Sequence, residues 1–260
     1  MCRMAAYTGP ALRLRAFLLD APHSLVVQAH APRETLSATV NADGIGFGWY
    51  DDHGEPAVYR SPLPAWADPN LDALGRSLER PMWIANVRSA TDPLSHSHAN
   101  TQPFQGDGLL FLHNGFIEAF ARDIRPHLRA RLSPELDADI NGTTDSEYLF
   151  ALLREHLRAT DGDLPGAIRA TMSELRERLS QAGRPALLNL LIAQGPRLIV
   201  VRHSHGLDCP SLYTHTGHPG FSGGQLAASE PLDDHAEWNA VPAHHLVILE
   251  PGSHAQTAPL

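Results

Sequence analysis

The order of elements legible along this 260-residue chain predicts an α+β fold with largely antiparallel sheets. Strand patterns come first, helical patterns occupy the middle, and strand patterns return afterwards. Two apolar runs flank Gln194-Gly195-Pro196, a hairpin signal that joins antiparallel neighbours.

Segments 23–30 (HSLVVQAH), 45–50 (IGFGWY), 56–60 (PAVYR), 82–88 (MWIANVR) and 109–117 (LLFLHNGFI) read as strands. Each is short, rich in β-branched or aromatic residues, and bounded by Gly, Pro, Asp or Asn. Residues 117–132 fit one amphipathic helix. A second helix starts at Thr144, where Thr144 and Glu147 have the spacing of a capping box. Tyr148, Leu149, Leu152, Leu153 and Leu157 then recur at helical spacing. A third spans about 164–182, with Ile168, Met172, Leu175 and Leu179 on one face and Gly183 as its stop. Residues 186–193, 197–203, 211–215, 225–230 and 245–250 complete the strands. No linker divides the chain, so one domain is expected over 2–252, with a frayed tail over 253–260.

Composition narrows the function. With 43% apolar residues the chain can bury a sizeable core, which excludes disorder for most of its length. The formal net charge is −9 without basic clusters, so no nucleic-acid partner is expected. Two cysteines, Cys2 and Cys209, make no disulfide framework and suit a reducing compartment. No apolar run approaches the roughly 20 residues of a membrane helix, and the N-terminus lacks a secretory pattern. A soluble cytoplasmic protein acting on a small molecule is expected, with no cofactor. A homo-oligomer is compatible with the sequence, which does not derive one.

Cys2 reads in two ways. A residue near a terminus is often mobile, and Cys often packs as a small hydrophobe. Once Met1 is removed, however, Cys2 carries a thiol and a free α-amine on one Cα. An α-amine of pKa about 7.7–8.0 is partly neutral near pH 7–8 and can take the thiol proton. His113-Asn114-Gly115 reads as a strand-ending turn. It also reads as an oxyanion site, with the Asn114 amide and the Gly115 N–H directed at one spot. Arg88 is a strand-end rim residue or a carboxylate clamp. Asp145 complements a helix dipole or receives an ammonium group.

Together MCRMAAYTG, NADGIGFGWY, NVRSAT, NTQPF, FLHNGFI and TTDSEYLF resemble, in order and spacing, the class II glutamine amidotransferases. The resemblance runs from residue 2 to about 155 and continues through NLLIAQG and ASEPL to about 250. It implies an N-terminal-nucleophile hydrolase with a four-layer αββα sandwich. It also implies Cys2 as nucleophile with its α-amine as base, Asn114 and Gly115 as oxyanion hole, Arg88 on a glutamyl α-carboxylate and Asp145 on its α-ammonium. Thr91 matches a position near the glutamyl pocket. Ser89 stands where many members carry Trp, and Gln102 where many carry His, which puts glutamine in doubt as preferred substrate. Within the family the chain looks closest to the hydrolases that remove glutamate from a γ-glutamyl conjugate in ergothioneine biosynthesis. The match uses nearly the whole chain, so water is the expected acceptor. The alternative is a glutaminase subunit supplying ammonia to a separate synthase.

Other signals compete. Gly220-Phe221-Ser222-Gly223-Gly224 fits a serine-hydrolase elbow but lacks the strand before it and the helix after it. His96 with His98, and His203 with His205, have the spacing of a metal chelate, yet no Cys or acidic cluster completes a site, and no metal is expected. Trp49, Trp66, Trp83 and Trp238 are core residues or an aromatic cage for a trimethylammonium group, with Trp49 and Tyr50 the first place to look. Cys209 reads as a structural thiol.

Overall fold

The computed structural model describes residues 2–34, 40–90 and 97–260. Its elements begin with β1 (Arg3–Arg13), α1 (Leu25–His30), β2 (Ile45–Tyr50), β3 (Pro56–Ser61), α2 (Leu71–Ser77) and β4 (Glu79–Val87). Next come β5 (Phe104–Gly106), β6 (Leu109–Ile117), α3 (Arg125–Arg131), α4 (Pro134–Ala138), α5 (Asp145–Ala159) and α6 (Leu164–Ala182). The chain then returns to strands: β7 (Ala186–Gln194), β8 (Arg197–Arg202), β9 (Ser204–His205) and β10 (Tyr213–His218). It closes with β11 (Gly224–Ala228), β12 (Asn239–Ala240), β13 (His245–Leu249) and β14 (Gln256–Pro259).

Two sheets form. The first has the order β12-β10-β11-β1-β4-β2-β3 and the second β14-β13-β8-β7-β6-β5, with β9 also pairing β7. The strand pairs are antiparallel. The period-2 alternation of strand side chains explains the layers. In β1, Met4 and Ala6 face a core shared with Leu110 and Leu112 of β6 and Leu191 and Ala193 of β7. The intervening Ala5 and Tyr7 face a second core with Leu25 of α1 and Leu71 of α2. In β6, Leu109 and Phe111 face a third core with Leu149 and Leu153 of α5 and Ile168 and Leu175 of α6. Helix, sheet, sheet and helix therefore stack as the expected αββα sandwich.

The structure departs from the sequence reading at several elements. Residues 23–30 hold helix α1, not a strand. The Ser24 side chain accepts the Val27 N–H and caps it, which outweighs the β preference of Val26-Val27. The sequence reading missed β1, whose strand pattern is broken by Gly9-Pro10 and whose pairing with β4 shifts register between Thr8 and Leu12. Residues 117–132 are not one helix. Ile117 ends β6, a π-turn spans Phe120–Ile124, and α3 stops before Leu132, where Pro134 opens α4. Helix α6 ends where predicted, with Gly183 in the left-handed region at φ 62°. The tail expected to fray from Ser253 instead adds the edge strand β14, whose residues 256–259 pair with β13.

Candidate active site

Cys2 sits immediately before β1, at the centre of the first sheet. Its Sγ accepts the backbone N–H of Ser89 at 3.4 Å and lies 3.6 Å from the Ser89 carbonyl oxygen. Ser89 follows Arg88 at the exit of β4, which pairs with β1. The NADG stretch fixes this exit. Asp43 N–H donates to the Arg88 carbonyl at 2.9 Å, Arg88 N–H donates to Gly44 at 2.8 Å, and the Asp43 carboxylate accepts the Ala90 N–H at 2.6 Å. The motif thus holds the backbone beside the thiol.

The facing wall comes from the second sheet. Register places His113, Gly115 and Ile117 opposite Leu190, Leu188 and Ala186 of β7. Leu188 N–H donates to His203, away from β6. By the alternation of antiparallel ladders, the backbone groups of Gly115 therefore point away from β7 as well. The neighbours on that edge are anchored. His113 N–H donates to the Gln102 side chain at 2.6 Å, and the Gln102 amide donates back to the His113 carbonyl at 2.9 Å. Ile117 N–H donates to the Asp145 carboxylate at 2.7 Å. Between them the Gly115 N–H faces the cavity that Gly115 lines. A Cβ at Gly115 would collide with the Leu187 carbonyl, so glycine is required for this approach.

That cavity, of about 220 Å³, is lined by Cys2, Arg88, Ser89, Gln102, Gly115 and Asp145 among others. Asp145 is the first residue of α5, whose N-terminal dipole end suits a carboxylate. Thr144 accepts the Glu147 N–H at 3.4 Å, which is half of the predicted capping box. The other half is absent: the Glu147 carboxylate accepts the Asn141 and Gly142 N–H groups at 2.8 and 2.6 Å. Burial pushes the Glu147 carboxyl up, against those two N–H groups and the charge of Arg60. Asn100 accepts the Thr143 N–H at 2.9 Å, so the loop before α5 is tied down over the cavity.

Of the sequence-predicted residues, the structure brings Cys2, Arg88, Gly115 and Asp145 to one cavity. Asn114 is buried on the inter-sheet face of β6, where its amide nitrogen donates to Ser229 Oγ at 3.2 Å. Ser229 Oγ also accepts the Met4 N–H at 3.1 Å. An amide nitrogen carries two hydrogens, so one remains beyond this bond, although Asn114 is not among the residues that line the cavity. Thr91 and His96 lie outside the described residues. Trp49 and Tyr50 form no cage: Trp49 packs on Phe47 and Trp83, and the Tyr50 hydroxyl donates to the Ala193 carbonyl at 2.8 Å, with the Gly108 carbonyl 3.0 Å away. The aromatic lining is Phe116 and Phe120 instead, which the sequence reading missed. His203 and His205 do not chelate together, since His203 meets His244 and His205 meets Ser180.

Behind Cys2 lies a buried ionic group. Arg3, fully buried, stands 3.5 Å from Glu230. Burial lowers the Arg3 pKa, against the opposing charges of Glu230 and Cys2. Burial pushes Glu230 up, but His23 at 2.7 Å, the Arg33 and Glu34 N–H groups and Arg3 outweigh it and hold the carboxyl below its usual range.

Comparison with known proteins agrees with this architecture. Residues 13–222 match the family model of the class-II glutamine amidotransferases. The chain is 32% identical to a gamma-glutamyl-hercynylcysteine sulfoxide hydrolase of Mycolicibacterium smegmatis, with all of both chains covered. It is 28% identical to the probable glutamine amidotransferase DUG3 of Saccharomyces cerevisiae, over 96% of this chain and 82% of that one. A solved glutamine aminotransferase class-II domain protein from Silicibacter pomeroyi superposes with TM-score 0.74 at 23% identity, covering 100% of this chain and 99% of that one. The chain, with two stacked sheets and Cys2 and Gly115 lining one cavity, thus belongs to the class II glutamine amidotransferases.

Proposed function

We propose that this chain hydrolyses the γ-glutamyl amide bond of γ-glutamyl-hercynylcysteine S-oxide, releasing glutamate in ergothioneine biosynthesis. The observation that carries the reading is the convergence of Cys2, Arg88, Gly115 and Asp145 on one cavity. Identity of 32% along the whole of a hydrolase of that name supports the substrate. The cavity is smaller than the roughly 300–1,000 Å³ that encloses a drug-sized ligand, and it suits a single amino-acid group.

In this reading Arg88 pairs with the glutamyl α-carboxylate and Asp145 with its α-ammonium. The zwitterion meets one cation and one anion across the cavity. Cys2 Sγ attacks the γ-carbonyl after its proton passes to its own α-amine, freed by removal of Met1. The oxyanion takes hydrogen bonds from the Gly115 N–H and the second amide hydrogen of Asn114. Collapse expels the amine of the conjugate, which takes the proton, and leaves a thioester. Water then attacks the thioester, breaks the C–S bond and frees glutamate.

The test is glutamate release by the Met1-processed protein from the conjugate, with glutamine alongside and Cys2→Ala as control. Release from the conjugate, lost in Cys2→Ala, is expected. Release from glutamine only would replace this reading with the ammonia-supplying subunit.

A further inference from the structure

We infer that His215, His218 and His235 form a zinc site remote in sequence from the Cys2 machinery. Among the described residues they are the one group of His, Cys, Asp or Glu that could hold a metal ion, with one nitrogen from each ring within 4.8 Å of the others. His215 and His218 are buried in β10, and His235 is exposed on the loop that leads to β12.

One ring of the three, His218, is already oriented by an acceptor of the kind that surrounds bound zinc. A zinc-bound histidine usually gives its other N–H to a carboxylate or a backbone carbonyl, which fixes the ring. His215 Nε2 and His235 Nδ1 face each other at 3.3 Å, with the Ala236 carbonyl 3.2 and 2.6 Å from them, a contact the ion would displace. Asp233 lies 3.1 Å from His218 Nε2 and is itself held by the Trp238 indole N–H at 3.1 Å. With His218 Nε2 protonated toward Asp233, that ring keeps Nδ1 as a lone pair. His215 Nε2 and His235 Nδ1 are the nitrogens that converge, and His215 Nδ1, on the far side of its ring, would carry the hydrogen. His218 Nδ1 accepts the Gly220 N–H at 3.1 Å, and the ion would displace that bond.

Three neutral imidazoles with one open position match the ligand type and number of a tetrahedral zinc site. Zn–N bonds of about 2.1 Å put ligand nitrogens about 3.4 Å apart, a spacing that His215 Nε2 and His235 Nδ1 already match at 3.3 Å. The ion would pin the His235 loop to β10, whose neighbour β11 leads directly to Ser229 and Glu230, the partners of Asn114 and Arg3.

The experiment loads the full chain with Zn²⁺, removes loose ion by dialysis and counts metal by mass spectrometry. A Cys2→Ala background removes the thiol as a rival ligand. One equivalent is expected, with tetrahedral d–d absorption when Co²⁺ replaces zinc and a rise in Tm on loading. His235→Ala, at an exposed position that should not disturb folding, is expected to weaken zinc binding at least about 100-fold, and Asp233→Asn about 10–100-fold. His203→Ala, outside the cluster, is expected to keep the metal. Sub-stoichiometric zinc in the folded Cys2→Ala protein, or unchanged affinity in His235→Ala, would overturn the assignment. Either result leaves the glutamate-release reading standing, since no step of it uses the ion.

Discussion

In the proposed mechanism Gly115 and Asn114, two adjacent residues, serve one oxyanion from different directions. The glycine offers its backbone N–H along the open edge of β6, while the asparagine side chain points between the sheets. An oxyanion forms only as the reaction proceeds, so its donors act on kcat more than on KM. Asn114→Ala is expected to lower kcat about 10²–10³-fold while KM stays near its wild-type value. Steady-state kinetics on the γ-glutamyl substrate check this, and a kcat within about twofold of wild type would remove Asn114 from the oxyanion hole. At this scale the sequence was informative where a residue type has few uses. A cysteine at position 2 and an acid at a capped helix start read out directly as cavity residues, whereas Asn114-Gly115, which also read as a strand-ending turn, lies inside β6 with only Gly115 on the cavity. Phe116 and Phe120 were missed. Their part depends on which loop lies across which strand, and no local pattern records that.

Elements carry the site through their ends. Helix α5 presents Asp145 because Thr144 caps it and because Glu147 holds the loop at Asn141 and Gly142. Removing the cap frees one N–H at the helix start. Thr144→Ala is expected to cost about 1 kcal/mol of stability, with a Tm lower by roughly 2–4 °C for a chain of this size. It is also expected to raise KM, because the capped end positions Asp145. Thermal unfolding and substrate titration measure the two effects. An unchanged Tm would show that water replaces the cap at no cost. The same helix shows what was legible: five apolar residues at helical spacing placed it within a residue of its true start. Residues 23–30 show the opposite. Val-Val favours a strand, and only the Ser24 cap with packing of Leu25 and Ala29 on β1's outer face makes a helix there. Likewise β1 was hidden because Gly9-Pro10 interrupts its pattern, although it is the central strand of its sheet.

The molecule as a whole has a pH dependence built into its second sheet. Burial, with the nearby charges of His244, Arg176 and His205, lowers the His203 pKa from 6.5 to about 4. The folded state therefore keeps His203 neutral between those values while the unfolded chain protonates it. Stability is full above about pH 6.5 and falls as the pH drops toward 4, by on the order of 2 kcal/mol. Urea unfolding at pH 7 and pH 5 measures this, and His203→Gln is expected to flatten the difference. An equal slope in the variant would assign the dependence to other groups. The layered architecture was legible from element order and family resemblance, whereas the tail strand β14 was not. A short polar segment becomes a strand only when an open edge, here β13, is waiting for it. The division of labour between the sheets has a last consequence. The sulfur rides on one slab and the Gly115 N–H on the other, and the Met4–Ser229–Asn114 chain of hydrogen bonds is a strut between them. The thickness of the apolar filling around Leu110, Leu112 and Ala6 therefore sets the spacing of the jaws. A methylene added or removed there, far from any substrate, would be felt as turnover before it is felt as unfolding.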